Sequence, residues 1–235
     1  MWVPAERTDK QVFHYYSLLN GNIRRYPERR MALLTYTGER VIPEMMNPMN
    51  GLLLEHIARY HFAIEYAQGR VLDLACGVGY GAQLLAKAKN KEIDEVIAVD
   101  ADAETIRYAK HTYYHPKVSY LQGDALDPQL PQTLGTFDAI ISFETIEHLT
   151  DEARFLENLY KMLKPGGRLI LSTPFGYGRG KPCNTEFHVH QLSWNEFHAL
   201  FAAYSETRFY YQKGVLIEPP RSDIHYPIGI AVCRK

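Results

Sequence analysis

Short apolar segments alternate with segments of helical periodicity through the middle of the chain. The segments that predict strands cover residues 71–74, 96–99, 118–125, 137–144 and 166–174. Between the first two, Leu84, Leu85 and Ala88 recur at the spacing of one helix face. Strands that alternate with helices are typical of a parallel sheet covered on both faces, so we predict a doubly wound α/β fold.

Polar residues indicate where two later helices begin. Thr150 precedes two acidic residues, which suit the positive end of a helix, and we expect Thr150 to be the N-cap. Ser193 and Glu196 have the spacing of a capping box, which predicts a second helix start. The last two strands are predicted at residues 207–213 and 228–234.

A glycine-rich turn follows the first predicted strand, at Gly77, Gly79 and Gly81. Glycine lets the backbone turn sharply and lets a ligand approach where a Cβ would collide. Alone this pattern is weak, because dinucleotide dehydrogenases and ordinary tight turns share it. Asp100 ends the second strand, close to the roughly 20-residue offset at which an acid meets a ribose hydroxyl pair. Together the turn and the acid predict an adenosine-type ligand.

The order of these segments resembles the class I S-adenosylmethionine-dependent methyltransferases, in particular their small-molecule branch, with its ubiquinone-type and type 11 methyltransferase domains. The matching segments are residues 73–81, Asp100, residues 124–125, residues 137–148 and residues 163–174. The resemblance implies a Rossmann-like, mainly parallel sheet of seven strands, completed by an antiparallel pair. Apolar positions at helical spacing within residues 1–51 predict an N-terminal helical cap before it. The resemblance also implies S-adenosyl-L-methionine as cofactor and S-adenosyl-L-homocysteine as product.

The resemblance further assigns the cofactor-binding residues. It implies that Asp73 fixes the cofactor's ammonium group and that Asp124, with the Ala125 amide, binds adenine. In many relatives the helix before the first strand supplies an arginine or an aromatic side chain to the cofactor's carboxylate. Arg59 and Tyr60 are the candidates here, with interhelix packing as the alternative. The expected cofactor-binding residues are Arg59, Tyr60, Asp73, Ala75, Gly77, Gly79, Asp100, Ala101, Asp124, Ala125 and Phe143.

Methyl transfer to a hydroxyl needs a base, and histidine suits this role near pH 7. The expected catalytic residues are Glu144, His148, His188 and His190. In an extended segment, His188 and His190 would point to the same side. For each histidine the alternative is a bond to a nearby backbone group that holds a loop. Residues 144–148 also resemble a run that ubiquinone-type enzymes use around a divalent cation, but many relatives carry it without metal, and we expect none here.

The methyl acceptor is expected to be a small molecule. A net charge of −1 at pH 7 provides no basic field for nucleic acid. The fourth strand lacks the Asn/Asp-Pro-Pro-Tyr/Phe motif that holds a planar amine. Residues 37–43 resemble a bacterial subgroup that modifies saccharides or natural products, and four arginines within residues 24–30 form either an anion site or a solvated helix face. We expect a hydroxyl, or an amine, of such a metabolite to be methylated.

We expect a cytoplasmic protein that binds neither nucleic acid nor membrane and is a monomer or a homodimer. No apolar run of about 18 residues is present, and the first residues lack a signal pattern. The three widely spaced cysteines form neither a disulfide framework nor a metal-binding pair. Residues 1–51 are expected to form a substrate-side cap, and residues 52–235 the S-adenosylmethionine-binding domain.

Two alternatives remain open at this point. A nicotinamide-dependent oxidoreductase would use a similar glycine-rich turn, although the third glycine of the Gly-x-Gly-x-x-Gly pattern is missing. A catalytically silent cofactor-binding protein would share the whole fold, because the glycine-rich turn and the ribose-binding acid do not themselves perform the transfer.

Overall fold

The structure is a computed structural model that describes residue 34, residues 40–183 and residues 185–235. The arginines within residues 24–30, residues 37–39 and most of the expected cap lie outside the described residues. The division between cap and domain at residues 51 and 52 therefore stays a prediction.

The sheet contains eight strands, of which the first five are parallel to one another. In chain order they are β1 Gly69–Leu74, β2 Ile93–Asp100, β3 Val118–Gln122, β4 Phe137–Phe143, β5 Leu163–Pro174, β6 Glu206–Lys213, β7 Leu216–Glu218 and β8 Ile228–Arg234. Their order across the sheet is β3-β2-β1-β4-β5-β8-β6-β7. This arrangement confirms the mainly parallel α/β sheet, and β8 pairs antiparallel with both β5 and β6.

The strand count differs from the expected seven because β6 continues into a short hairpin. Lys213 pairs with Leu216 across a two-residue turn that contains Gly214 at φ +59°. A glycine tolerates this left-handed conformation, which a tight hairpin turn requires. The resulting edge strand β7 is only three residues long, too short for the alternation of apolar and polar residues to reveal it in the sequence.

Six helices and three single turns of 3₁₀ helix connect the described strands. The helices are α1 Gly51–Ala63, α2 Tyr80–Ala88, α3 Ala103–Thr112, α4 Leu130–Leu134, α5 Glu152–Met162 and α6 Trp194–Ala199. The capping box of α6 is confirmed. Thr150, however, is not the N-cap of α5: the Asp151 carboxylate accepts the Arg154 amide at 2.9 Å, so the helix begins one residue later.

Alternating strand residues enter two separate cores, one on each face of the sheet. Val71 and Val96 pack on the side covered by α1, α2 and α3. Leu72 and Ile97 pack on the side covered by α4, α5 and α6. Because successive side chains in a strand point to opposite faces, this is the pattern that a doubly wound sheet requires. Among the described helices, none is both long and apolar enough to cross a membrane.

Candidate cofactor and acceptor site

A cavity of about 670 Å³ opens where β1, β2 and β4 end. Open α/β sheets bind ligands outside the carboxyl ends of their strands, so this is the expected position for a site. One part of the wall comes from the turns that follow β1, β2 and β3. The other part comes from the segment after β4, the loop after β5 and helix α1. We call the first part the nucleoside end and the second part the histidine end.

The nucleoside end begins with the turn after β1, whose backbone is left-handed at three positions. Ala75 has φ +64°, Gly77 +54° and Gly79 +90°. A Cβ on Gly77 would meet no atom within 4 Å, so this glycine leaves room at the cavity wall. A Cβ on Gly79 would instead lie 2.5 Å from the Tyr120 ring. At position 79 a side chain would collide with Tyr120, so the packing requires glycine. At position 77 there is space, and the left-handed backbone conformation is what favours glycine.

Asp100, at the end of β2, faces this turn. Its carboxylate accepts the Gly77 amide at 2.9 Å and the Asp102 amide at 3.0 Å, which fixes both oxygens at the cavity wall. Burial raises the pKa of Asp100, and the two amide hydrogen bonds oppose this shift. Ala101 beside it also lines the cavity. Each carboxylate oxygen keeps further lone pairs with which to accept from a ligand.

The loop after β3 brings Asp124 and Ala125 to the same end of the cavity. The Asp124 carboxylate accepts the Leu126 amide at 2.8 Å, which closes a local turn. From α5, the buried Asn158 donates to the carbonyl oxygens of Ala125 at 2.9 Å and Asp127 at 3.0 Å. These hydrogen bonds fix the shape of the loop. An acidic residue in an ordinary surface turn would lack the support from Asn158.

Tyr60 connects α1 to the strand ends. Its hydroxyl lies 3.2 Å from both carboxylate oxygens of Asp73, and its ring meets the Phe143 ring edge-on at 5.2 Å between centroids. A Cβ on Gly81 would lie 1.9 Å from this tyrosine ring, so Gly81 makes room for it. Tyr60 and Phe143 line the cavity, whereas Asp73 is buried behind them. Burial raises the pKa of Asp73 to about 7.

Arg59 is fully buried beside the cavity and is not among the residues that line it. Its Nη1 donates to Oε1 of Gln212 on β6 at 2.8 Å. Its Nε and Nη2 have no hydrogen-bond partner in the part of the chain that the structure describes. Unpaired buried donors on a charged group are costly. The contact with Gln212 fits the packing alternative, while the two remaining donors leave a ligand role open.

At the histidine end, two glutamates follow β4. Glu144 has the left-handed φ of +48° and accepts the Ser172 hydroxyl at 2.7 Å. Glu147 is buried and accepts the Thr173 hydroxyl at 3.0 Å. Burial, and secondly the charge of Glu144, raise the pKa of Glu147 well above its ordinary value. In the described residues, Ala75 and Glu144 are the two non-glycine positions with positive φ, and both line the cavity.

The three predicted histidines do not converge. His148 and His188 line the cavity, and their rings meet edge-on at 4.9 Å between centroids. His190 is buried outside the cavity lining, with Nε2 at 3.3 Å from Oε1 of Glu152. The expectation that His188 and His190 point to the same side applied to an extended segment. The chain instead bends at Val189, between the two histidines.

Glu147, His148 and His188 bring their ligand atoms within 4.8 Å of one another. Such a group suits either a hydrogen-bonded cluster or a cation. The expectation of a site without metal therefore stays a prediction.

Residues 72–171 match the family described as a methyltransferase domain. A probable S-adenosylmethionine-dependent methyltransferase from Mycobacterium tuberculosis is 34% identical over 173 residues, which cover 72% of this chain and 60% of the relative. The chain carries a class I S-adenosylmethionine-dependent methyltransferase domain. S-adenosylmethionine is accordingly the cofactor of this domain. The match to a methyltransferase family leaves no support for the nicotinamide-dependent alternative.

Two further comparisons place the methyltransferase domain among known proteins. A ubiquinone biosynthesis O-methyltransferase from Xylella fastidiosa is 33% identical over 132 residues, covering 54% of this chain and 50% of that protein. An S-adenosylmethionine-dependent methyltransferase structure from Mesorhizobium loti has a TM-score of 0.57 and 17% identity, covering 77% of this chain and 98% of its own. The structural likeness shows the fold alone. The chain spans about 60% or less of the curated relatives it matches.

The methyltransferase cavity contains two charged or titratable residues that sequence reasoning missed. His56 lies on one face of α1 between Leu52 and Tyr60, and all three line the cavity. Burial, and secondly the charge of Arg59, lower the pKa of His56 well below its ordinary value, so its ring is neutral at pH 7. The four-residue spacing of positions 52, 56 and 60 is the signal that could have identified it. The second missed residue is Arg40, at the nucleoside end.

Proposed function

We propose that the protein transfers the methyl group of S-adenosylmethionine to a hydroxyl of a small molecule. One observation carries this proposal: a single cavity joins the turns after β1, β2 and β3 to a wall of glutamates and histidines. The name of the Xylella relative, an O-methyltransferase, supports oxygen as the acceptor atom. The glutamates and histidines at this wall also accept hydrogen bonds from hydroxyls, which favours a polyhydroxylated acceptor such as a saccharide or natural-product intermediate.

The nucleoside end fits the cofactor chemically. Asp100 retains acceptor capacity for the two ribose hydroxyls, because its amide bonds to Gly77 and Asp102 leave lone pairs on both oxygens. Asp124 would accept the adenine amino group, and the Ala125 amide would donate to the ring. Gly77 leaves open space where a side chain would obstruct the ligand. We therefore retain all four residues, with Ala101 as their neighbour in the wall, as the nucleoside-binding set.

The methionine part of the cofactor would lie against Tyr60 and Phe143, which line the cavity beyond the turn after β1. Asp73 would act through Tyr60, since its carboxylate contacts the tyrosine hydroxyl from behind the wall. Of the two candidates for the cofactor's carboxylate, Tyr60 is in the cavity wall. Arg59 would contribute its buried positive charge. The supporting observation is that its Nε and Nη2 have no hydrogen-bond partner among the described residues.

We assign His148 as the general base. Its Nδ1 lies 3.0 Å from the Phe187 carbonyl oxygen, and because a carbonyl only accepts, Nδ1 carries the proton. Nε2 then has a free lone pair with which to accept the acceptor's hydroxyl proton. His188 supports the imidazole edge-on, and Glu144 would orient the acceptor. His190 lies outside the cavity lining, with its Nε2 3.3 Å from Glu152, and we assign it to holding the loop.

When bound, S-adenosylmethionine supplies an electrophilic methyl group on a sulfonium. The task of the protein is to align the acceptor oxygen with that methyl, and such alignment contributes roughly 7–11 kcal/mol to lowering a barrier. As the oxygen–carbon bond forms and the sulfur–carbon bond breaks, the hydroxyl proton passes to His148. The products are the methyl ether and S-adenosylhomocysteine.

The proposal is tested with S-adenosylmethionine labelled in the methyl group and a panel that contains catechol, methyl glycosides and primary amines. We expect label on hydroxylated members, with S-adenosylhomocysteine formed in equal amount by mass spectrometry. Label on amines alone would contradict the choice of acceptor atom. Tight binding of S-adenosylhomocysteine without any turnover across the panel would favour the catalytically silent alternative.

A further inference from the structure

Arg40 lies at the nucleoside end of the cavity, beside Val41. It belongs to residues 37–43, which were not assigned a role in binding the cofactor. Its Nη2 donates to Oδ2 of Asp102 at 2.6 Å, and both side chains are partly buried. A short, partly buried contact between a guanidinium and a carboxylate is among the stronger pairings in proteins.

Asp102 connects Arg40 to Asp100, the expected ribose-binding acid. The Asp102 carboxylate caps α3, accepting the Glu104 amide at 2.9 Å and the Thr105 hydroxyl at 2.9 Å. Its own amide donates to Oδ1 of Asp100 at 3.0 Å. The same residue therefore starts the helix, receives Arg40 and fixes one oxygen of Asp100. A displacement of Asp102 would move that oxygen.

A second contact holds the segment that carries Arg40 against α3. Four residues further along the chain, the Glu44 carboxylate accepts the Tyr113 hydroxyl at 2.5 and 2.6 Å and the Tyr108 hydroxyl at 3.2 Å. These tyrosines lie near the C-terminal end of α3, whereas Asp102 lies at its N-terminal end. The segment thus spans the helix from one end to the other, which fixes the direction from which Arg40 enters the cavity.

The charge of Arg40 also influences the pKa of Asp100. Burial is the largest influence on that carboxyl and raises its pKa, while the positive charge of Arg40 is among the influences that oppose this rise. An ionised Asp100 accepts hydrogen bonds with both oxygens, whereas a protonated one loses part of that capacity.

We propose that Arg40 is a cofactor-positioning residue. Through its ion pair with Asp102 it holds the Asp100 carboxylate in place, and its side chain forms part of the wall at the nucleoside end of the cavity. The moiety it acts on is the adenosine part of the cofactor, so the inference does not depend on which acceptor is methylated.

Isothermal titration calorimetry of the full chain tests this proposal with two probes, S-adenosylhomocysteine and 5′-methylthioadenosine. The second probe lacks the amino-acid part and so reports on the nucleoside end alone. We expect Arg40→Gln to weaken both probes by about the same factor, on the order of tenfold, as for the loss of one charged hydrogen bond. Arg40→Lys keeps the charge and should retain an intermediate affinity.

The matched control is Arg107→Gln, because Arg107 pairs with Glu104 on the exposed face of the same helix. We expect it to bind both probes within about twofold of the wild type, since exposed pairs contribute little. Asp102→Asn removes the partner charge but keeps a residue that caps helices well, so α3 should still form. The double variant Arg40→Gln/Asp102→Asn should bind no more weakly than the weaker single variant, because the two changes remove the same contact.

Three results would overturn the proposal. They are an Arg40→Gln variant that binds both probes within twofold of the wild type, a loss confined to S-adenosylhomocysteine, and strictly additive losses in the double variant. A wild-type protein that binds neither probe would overturn it together with the proposed function, so the two failures are distinguishable. Melting curves of the unliganded variants show whether each is folded, and Arg40→Lys serves as the readout if Arg40→Gln is not.

Discussion

The two ends of the cavity are built in different ways. At the nucleoside end, backbone turns carry the site, and each acidic residue lies within two positions of the end of a strand, as Asp100 does in β2 and Asp124 after β3. At the histidine end, side chains from α1, from the segment after β4 and from the loop after β5 meet across long sequence distances. The first end is thus set by the fold itself, whereas the second is set by how separate segments pack on it.

This difference matches a division of labour. Under the proposed function, the strand ends form a cofactor-binding surface that any acceptor can share, while the loops and helix α1 form the surface that selects the acceptor. A change at the nucleoside end should therefore alter cofactor affinity, and a change at the histidine end should alter turnover with little effect on that affinity.

The largest effect is expected from His148→Ala, which removes the proposed base. Turnover should fall by about 10²-fold or more, while S-adenosylhomocysteine affinity stays within twofold. His190→Ala is the matched control, since His190 lies outside the cavity lining and contacts Glu152. Initial rates of methyl transfer with saturating cofactor provide the measurement. Equal losses in the two variants would show that both histidines only hold the loop.

Next in size is Asp100→Ala, which removes the expected ribose contact. Cofactor binding should weaken by roughly 1–3 kcal/mol, the range for hydrogen bonds to a charged group. Asp94 lies exposed on the same strand, so Asp94→Ala controls for the loss of a β2 carboxylate. Calorimetry with S-adenosylhomocysteine provides the comparison. If both variants bound equally well, Asp100 would not be the ribose-binding acid.

The residues that the sequence assigned to the nucleoside end lie together in one cavity wall, because their determinants are local. A glycine-rich turn and an acid at a strand end are both adjacent to the apolar segments that reveal the strands. The histidine end was predicted less well for the corresponding reason. His190 was a candidate base with loop support as the alternative, but the chain bends at Val189 and the His190 Nε2 lies 3.3 Å from Oε1 of Glu152. His56 was missed because its role depends on which face of α1 meets the sheet.

Gly81→Ala tests whether the two ends are mechanically linked through Tyr60. The added Cβ would lie 1.9 Å from Cζ of the buried Tyr60 ring, whose hydroxyl is held by Asp73. Overpacking of this kind costs about 1–3 kcal/mol of unfolding free energy, and cofactor affinity should fall as well because the ring lines the cavity. Gly51→Ala, near the start of α1, is the control, since nothing lies within 4 Å of its Cβ. Chemical denaturation would measure both, and an unchanged Gly81→Ala protein would contradict this account of the ring.

The buried Asp73 predicts a pH dependence of stability. Its pKa is raised from 3.8 to about 7, so between these values the folded state holds a proton that the unfolded state has released. Stability should therefore fall as pH rises through this window, by at most about 1.4 kcal/mol per pH unit. In Asp73→Asn this part of the slope should disappear, while the amide can still bond the Tyr60 hydroxyl. Parallel stability curves for the two proteins would show that Asp73 does not titrate in this range.

The smallest effect, on the free energy of unfolding, is expected from replacing a left-handed non-glycine residue by glycine. Each end of the cavity has one such residue. Ala75 has φ +64° and Glu144 has φ +48°, and both line the cavity. Such positions carry strain that glycine relieves, so Ala75→Gly should raise the free energy of unfolding by a few tenths to about 1 kcal/mol, partly offset by the greater flexibility of the unfolded chain. Glu144→Gly should gain from the same relief but lose the contact with Ser172, so its net change should be less favourable. Denaturation midpoints of the two variants test this.

The two variants should also differ in activity. Ala75→Gly, at the nucleoside end, should leave turnover intact, whereas Glu144→Gly removes a carboxylate from the acceptor wall at the histidine end and should reduce turnover. If the two variants had the same stability and the same activity, the left-handed residues at the two ends would not differ in their roles.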